Sequence, residues 1–420
     1  MGVLVLVASV AACTSSPDQA APPSTFGAGS PWQGSFTSVA LPAPVNSLTA
    51  LECVNALRCW AVGSTVGVGG APNGAAIITT ADGGVRWSTQ VIPPTVGYLS
   101  AIACSDPRHC TAVGQAGQTS DGQSVVIATS DAGGSWTQAQ TPPGTLDVTA
   151  VSCQPDRRCL AIGSTAAGGV ALVSTSAGST WTMQGALPPN ITGANDISCS
   201  NAQTCWVTAQ TVLNPDHVSG AIAVTTDGGS SWATEAIPNG VGILNGVSCL
   251  VGSPTGAGAL PTTSTVPTTA PPSATPTAAP PSATPTAAPP SATPTTAAFG
   301  VAGINCTVVG TTATSFDAGR SGQGVILTTG NGGATWTNQT VPTAASLMDV
   351  SCTGIGSCVG VGSSVSSSSE AGLAVLSGSP QHPWQRPAMV GAPQPLTAVS
   401  CQSSSQCVVV GESILEYLAG

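Results

Sequence analysis

The chain has no lysine. Its 420 residues carry only seven arginines, and charged residues make up 6% of the whole, against roughly 25% in ordinary soluble domains. Ion pairs therefore cannot be the main source of stability. With a net charge of -10 and no basic cluster, no surface exists for a phosphate backbone, so a nucleic-acid partner is excluded. The arginines are scattered along the sequence and no basic amphipathic segment is visible, so any membrane link is expected to be covalent. The apolar run at residues 1–12 is shorter than the ~20 residues that cross a bilayer. His109, His217 and His382 lack ligand spacing, and no P-loop, dinucleotide fingerprint or Ser/His/Asp arrangement is present, so neither metal nor cofactor is expected.

What is abundant is repetition. LTALECVNALRCWAVG, from Leu48, returns from Leu99, Val148, Ala194, Leu244, Leu347 and Leu396. Seven copies at a spacing near fifty residues mean one structural unit stacked seven times. Fourteen of the fifteen cysteines form one couple per copy: Cys53 with Cys59, Cys104 with Cys110, Cys153 with Cys159, Cys199 with Cys205, Cys249 with Cys306, Cys352 with Cys358 and Cys401 with Cys407. Zinc would need two converging ligand pairs, which one couple per repeat does not offer, so disulfides are the better reading. Disulfides imply an oxidising, extracytoplasmic compartment.

Each repeat parses into four short strands; in the first they are 48–53, 59–64, 75–80 and 87–92. Between the third and fourth lies a second signature, Thr80-Ala-Asp82-Gly-Gly84-Val-Arg-Trp87, repeated around Asp131 to Trp136 and Asp227 to Trp232. Weaker forms end at Trp181 (with Ser176 for Asp), Trp336 (with Asn331) and Trp384. The short acceptor can bind backbone N–H groups of the turn, Gly takes a positive φ, and Trp is buried between units.

This pattern resembles the Asp-box of sialidase, xyloglucanase-type and photosystem assembly factor propellers. CWAVG at Cys59 to Gly63 joined to TTADGGVRW at Thr79 to Trp87 is similar to the last of these, with cysteines added. The resemblance implies an all-β fold: a seven-bladed propeller of four-stranded antiparallel blades. Within it, Asp82, Asp131, Asp227, Asn331, Trp87, Trp136, Trp181, Trp232 and Trp336 are structural and not catalytic. A degenerate box ends at Trp32, and residues 412–420 supply a third strand without its fourth. Residues 32–41 are therefore expected to complete the last blade and close the ring.

Val10-Ala11-Ala12-Cys13 resembles the lipobox of bacterial lipoproteins, and Cys13 is the one cysteine outside the couples. The expected organisation is an export signal over 1–12, a tether over 13–31, propeller over 32–251 and 299–420, and a disordered Pro/Thr/Ala-rich insertion over 252–298 inside blade five. The expected location is the outer side of a bacterial membrane, or secretion.

No catalytic site is expected. Sialidase chemistry would need a Tyr/Glu pair and three arginines on the ligand face, whereas most arginines lie between paired cysteines. Asp196 and Asp349 stand where the other copies have Ala or Gly and are the candidates for a glycosidase pair. Ligand contacts are expected from loops at Tyr98, Asp121, Asp147, Asp216, His217, Asp317, Arg320 and Glu370. The preferred function is a non-enzymatic, monomeric, lipid-anchored scaffold binding a protein or a cell-wall glycan. The alternatives are a glycoside hydrolase and an assembly factor for a membrane complex, the latter by analogy of fold.

Overall fold

The computed structural model describes residues 34–66, 72–117, 123–214, 217–252, 301, 303–314, 322–364, 371–377, 384 and 394–419. Cys13, Trp32 and all of the 252–298 insertion except Gly252 lie outside the described residues.

Seven antiparallel sheets form the blades. Blade 1 comprises Val45–Cys53, Cys59–Val66, Pro72–Thr80 and Ser88–Thr89. Blade 2 comprises Val96–Asp106, His109–Ala116, Ser124–Thr129 and Thr137–Ala139, and blade 3 Thr145–Cys153, Cys159–Thr165, Gly168–Ser174 and Thr182–Ala186. Blade 4 is Gly193–Cys199, Cys205–Asn214, His217–Thr225 and Ala233–Thr234. Blade 5 is Leu244–Val251, Ile304–Thr311, Gly324–Thr329 and Thr337–Val341. Among the described residues blade 6 has three strands, Ala344–Gly354, Ser357–Ser364 and Gly372–Leu376.

Blade 7 takes Leu396–Ser403, Gln406–Gly411 and Ile414–Ala419 from one end of the chain and Gly34–Val39 from the other. Thr37 pairs with Glu416 in that seam. Strand exchange removes the open edge that a linear array of blades would leave. The fourth strands differ from expectation: in blade 1 only Ser88 and Thr89 pair with the third strand, opposite Thr79 and Ile78.

The core is divided among the seams. Seven apolar clusters each join two neighbouring blades, including one between blades 7 and 1 that contains Leu48, Ile78, Val410 and Ile414. The turn tryptophan of each blade packs on the blade before it: Trp136 with Trp60, Trp181 with Val113, and Trp336 with Trp206. A four-stranded blade has two apolar faces, so only stacking buries both.

All seven cysteine couples are disulfides joining directly opposed residues of the first and second strands, with Cα atoms 4.0–4.1 Å apart. Cys53 is bonded to Cys59, Cys104 to Cys110, Cys153 to Cys159, Cys199 to Cys205, Cys352 to Cys358 and Cys401 to Cys407, each across a separation of six residues. The bond from Cys249 to Cys306 closes 57. The glycine ending each CWAVG-type run has a packing cause. At Gly63, Gly114, Gly163 and Gly362 a Cβ would collide with a carbonyl oxygen of the adjacent first strand, and at Gly310 with that of Ile243, just before it.

The polar turn recurs with nearly constant geometry. Asp82 Oδ1 accepts the Thr80 hydroxyl and Arg86 N–H, each at 2.9 Å, while Oδ2 accepts Arg86 Nε at 3.0 Å. Asp131 and Asp227 accept equivalent bonds from Thr129 and Ser135, and from Thr225 and Ser231. Asn331 does so with Thr329 and Thr335.

Candidate functional site

The seven first strands surround a central channel with a cavity of about 600 Å³. What faces it follows from a β-bulge repeated in each first strand. In blade 1, Leu48 pairs with Gly63 and Ala50 with Val62, leaving Thr49 as the extra residue. A bulge re-aims the extra side chain and re-phases the residues after it.

Three belts result. The bulge residues form the first, and five of them reach the following blade. Thr49 donates to the Leu99 carbonyl at 2.9 Å, Thr149 to Ala194 at 3.1 Å, Asn195 to Leu244 at 2.6 Å, Asn245 to Leu347 at 2.7 Å and Thr397 to Leu48 at 2.7 Å. In blades 2 and 6 the position is Ser100, which bonds within its own blade to the Val113 carbonyl, and Met348. The second belt consists of Ala50, Ala101, Ala150, Asp196, Gly246, Asp349 and Ala398. The third holds Ser152, Ser198, Ser248, Ser351 and Ser400, each of whose hydroxyls accepts the N–H of the following blade's first cysteine at 3.0–3.3 Å. Glu52 and Ala103 occupy the third belt in blades 1 and 2.

Three carboxylates therefore share the channel: Glu52, Asp196 and Asp349. Asp196 accepts Ile197 N–H at 2.8 Å and, across the seam, Val247 N–H at 2.9 Å. Asp349 accepts Val350 N–H at 2.7 Å and Val399 N–H of blade 7 at 2.8 Å. The two aspartates are neighbours in the belt with only Gly246 between them, and a Cβ on Gly246 would lie 3.0 Å from Asp349 Oδ1. The nearer clash would be with Asp349 Cα at 2.7 Å, so glycine makes room for the blade 6 backbone that carries the second acid.

Burial raises the proton affinity of all three. Glu52 is pushed up to about 8, by burial first and then by the charges of Asp349 and Asp196. Burial holds Asp196 and Asp349 above the usual carboxylate range, and Asp349 feels the Asp196 charge as well. The backbone donors pull both back without cancelling the burial effect. The lining residues include no arginine or histidine, so no counter-charge offsets the set. Among the described residues no three His, Cys, Asp or Glu side chains lie close enough together to hold a metal ion.

The sequence-derived residues distribute unevenly. Asp196, Asp349 and Tyr98 line the channel, Tyr98 being 43% exposed at its mouth. Asp147 lies on the first strand of blade 3, outside the channel lining, with Oδ1 buried and unpartnered among the described residues. His217 is exposed at the start of the third strand of blade 4. Asp121, Asp216, Asp317, Arg320 and Glu370 lie outside the described residues. Glu52 was not anticipated, although its signal was in the repeat: it stands where five copies have serine.

No protein-family profile matches the chain, and no curated protein does. Solved structures do match. YCF48 from Cyanidioschyzon merolae is 12% identical with a TM-score of 0.52, covering 91% of this chain and 98% of that one. YCF48 bound to D1 peptide is likewise 12% identical, with a TM-score of 0.54 and coverages of 92% and 97%. The GH74 xyloglucanase from Xanthomonas campestris is 12% identical with a TM-score of 0.56; the match covers 92% of this chain and 54% of the enzyme. At such identities the likeness shows the fold alone: a seven-bladed β-propeller.

Proposed function

We propose that the protein is a non-enzymatic propeller of the extracytoplasmic space that binds a protein partner at the mouth of its central channel. The observation that carries this reading is how Asp196 and Asp349 are used. Both oxygens of each accept backbone N–H groups, one within the strand and one from the next blade. A carboxylate so engaged is a staple between blades, whereas a glycosidase needs one free to move protons and another facing the reacting carbon. Seven disulfides suit an oxidising compartment, and among the described residues no helix is long and apolar enough to span a membrane. The D1 peptide named with YCF48 makes a peptide the first ligand class to test. The turns around Asp82, Asp131, Asp227 and Asn331 act as Asp-boxes, and Cys13 carries the lipid that tethers the molecule.

A pull-down from detergent-solubilised membranes tests the binding role. Wild-type protein should retain a specific partner that Tyr98→Ala loses, and recovery of none would remove the proposal. Cys13→Ser should move the protein from the membrane to the soluble fraction.

A glycoside hydrolase remains the second reading, because the Asp196 and Asp349 carboxyls hold protons more tightly than ordinary acids. Release of reducing sugar from β-glucan or cell-wall glycan by the wild type, abolished in Asp349→Asn, would favour it over scaffolding.

A further inference from the structure

Glu235 follows the short fourth strand of blade 4, where its N–H donates to the Ile222 carbonyl at 2.9 Å. Its side chain crosses the seam into blade 5. Oε1 accepts the indole N–H of Trp206, from blade 4, at 3.2 Å, and Oε2 accepts that of Trp336, from the turn of blade 5, at 2.7 Å. Gly333 of the same turn has φ 91°, and a Cβ there would collide with the carboxylate. One carboxylate thus fastens two tryptophans from two blades.

Blades 1 and 2 contain the same arrangement with one atom type changed. Gln90 N–H donates to the Ile77 carbonyl at 2.8 Å, Trp60 and Trp136 take the places of Trp206 and Trp336, and Gly133 abuts the Gln90 amide oxygen. Yet the indole nitrogens of Trp60 and Trp136 are buried without a partner among the described residues. The Gln90 amide bonds neither indole, whereas the Glu235 carboxylate, with an acceptor oxygen facing each, bonds both.

We propose that Glu235 is a proton-operated clasp between blades 4 and 5: ionised, it holds Trp206 and Trp336 together, and protonated, it holds only one of the two indoles. Protonation converts one carboxyl oxygen from acceptor to donor, and an indole N–H can only donate. Burial pushes the Glu235 carboxyl up to about 7, against the pull of the Trp336 and Trp206 donors, so the exchange falls near neutral pH. The groups facing it carry no charge that would move this midpoint. Trp206 comes from the second strand of blade 4, Gly333 and Trp336 from the turn of blade 5, and that turn carries the neutral Asn331 at its acceptor position. Asp227, the acid of the neighbouring turn, is bound to Thr225 and Ser231.

The test is a pH titration, from 5 to 9, of the indole N–H resonances of the oxidised full chain labelled with ¹⁵N-tryptophan, with Trp206→Phe and Trp336→Phe identifying two of the nine tryptophans. The Trp206 and Trp336 resonances should move together with a midpoint near 7, and the movement should vanish in Glu235→Gln. In Gln90→Glu a new titration should appear on Trp60 and Trp136, an arm that stands even if Glu235→Gln fails to fold. Resonances that stay still in the wild type, or that still titrate in Glu235→Gln, or a Gln90→Glu chain whose Trp60 and Trp136 do not respond, would overturn the proposal.

Discussion

Two sets of acids in one molecule behave in opposite ways. In the turns, Asp131 is held down at about 2 by the Ser135 N–H and hydroxyl and by Thr129. Asp82 is lowered too, by the Arg86 N–H and guanidinium and by Thr80. In the channel, Glu52, Asp196 and Asp349 are all raised. Hydrogen bonds alone do not explain the contrast, since Asp349 accepts two strong backbone bonds and still rises. What differs is solvent: the turn acids stand in water with local donors, whereas the channel acids share a confined space without a counter-charge. Sequence position told the turn acids from Asp196 and Asp349, but charge state is decided by what the fold places around each carboxyl.

The contrast can be broken most forcefully at Asp349. Asp349→Ala orphans the Val350 and Val399 N–H groups, one of them across the seam to blade 7. Unfolding in urea should show a loss of about 2 kcal/mol at pH 5, where burial keeps the carboxyl protonated, so that one oxygen still accepts and little charge repulsion is relieved in exchange. A variant as stable as wild type would mean that the staple contributes nothing.

Glu52 should respond in the opposite direction, because it accepts no hydrogen bond among the described residues and only its charge is lost on substitution. Its folded affinity for protons exceeds the unfolded one, so its contribution is complete below pH ~4.5 and disappears as the pH rises through about 8. Glu52→Gln should therefore be neutral at pH 4 and stabilise the fold by about 2 kcal/mol at pH 9, after allowance for screening by channel water. An equal effect at both pH values would contradict the burial explanation.

The turn acids sharpen the comparison from the acid side. Their folded affinity for protons is depressed, so their stabilisation is present above pH ~4 and lost as the pH falls toward about 2. Asp131→Asn should flatten the acid limb of a stability–pH curve and lower the curve above pH 6 without changing its slope there. The smallest effect is expected at Asp227→Ala, about 1 kcal/mol for one lost turn acceptor, read as a lowered urea midpoint.

Much of the fold was legible because its causes are local. The Cys-x5-Cys hairpin, the glycine closing the second strand and the turn tryptophan each repeat in sequence, and the two incomplete end units pointed to the seam of Gly34–Val39 with Ile414–Ala419. The channel was less legible. Asp196 and Asp349 stood out against Ala and Gly, but Glu52 escaped notice, although it lies two residues beyond the same position of blade 1, on the same side of the strand, and stands where five copies have serine. The Trp206, Glu235 and Trp336 clasp was equally hidden, since its members come from two repeats and meet only when the blades stack.

A carboxyl-carbon NMR titration of the ¹³C-labelled Asp and Glu side chains, with Glu52→Gln and Asp131→Asn as assignments, bears most directly on the division between turn and channel. The Glu52 signal should titrate near 8 and that of Asp131 near 2. Two signals that both titrate around pH 4 would show that channel and turn are equally open to water, and the division would fail.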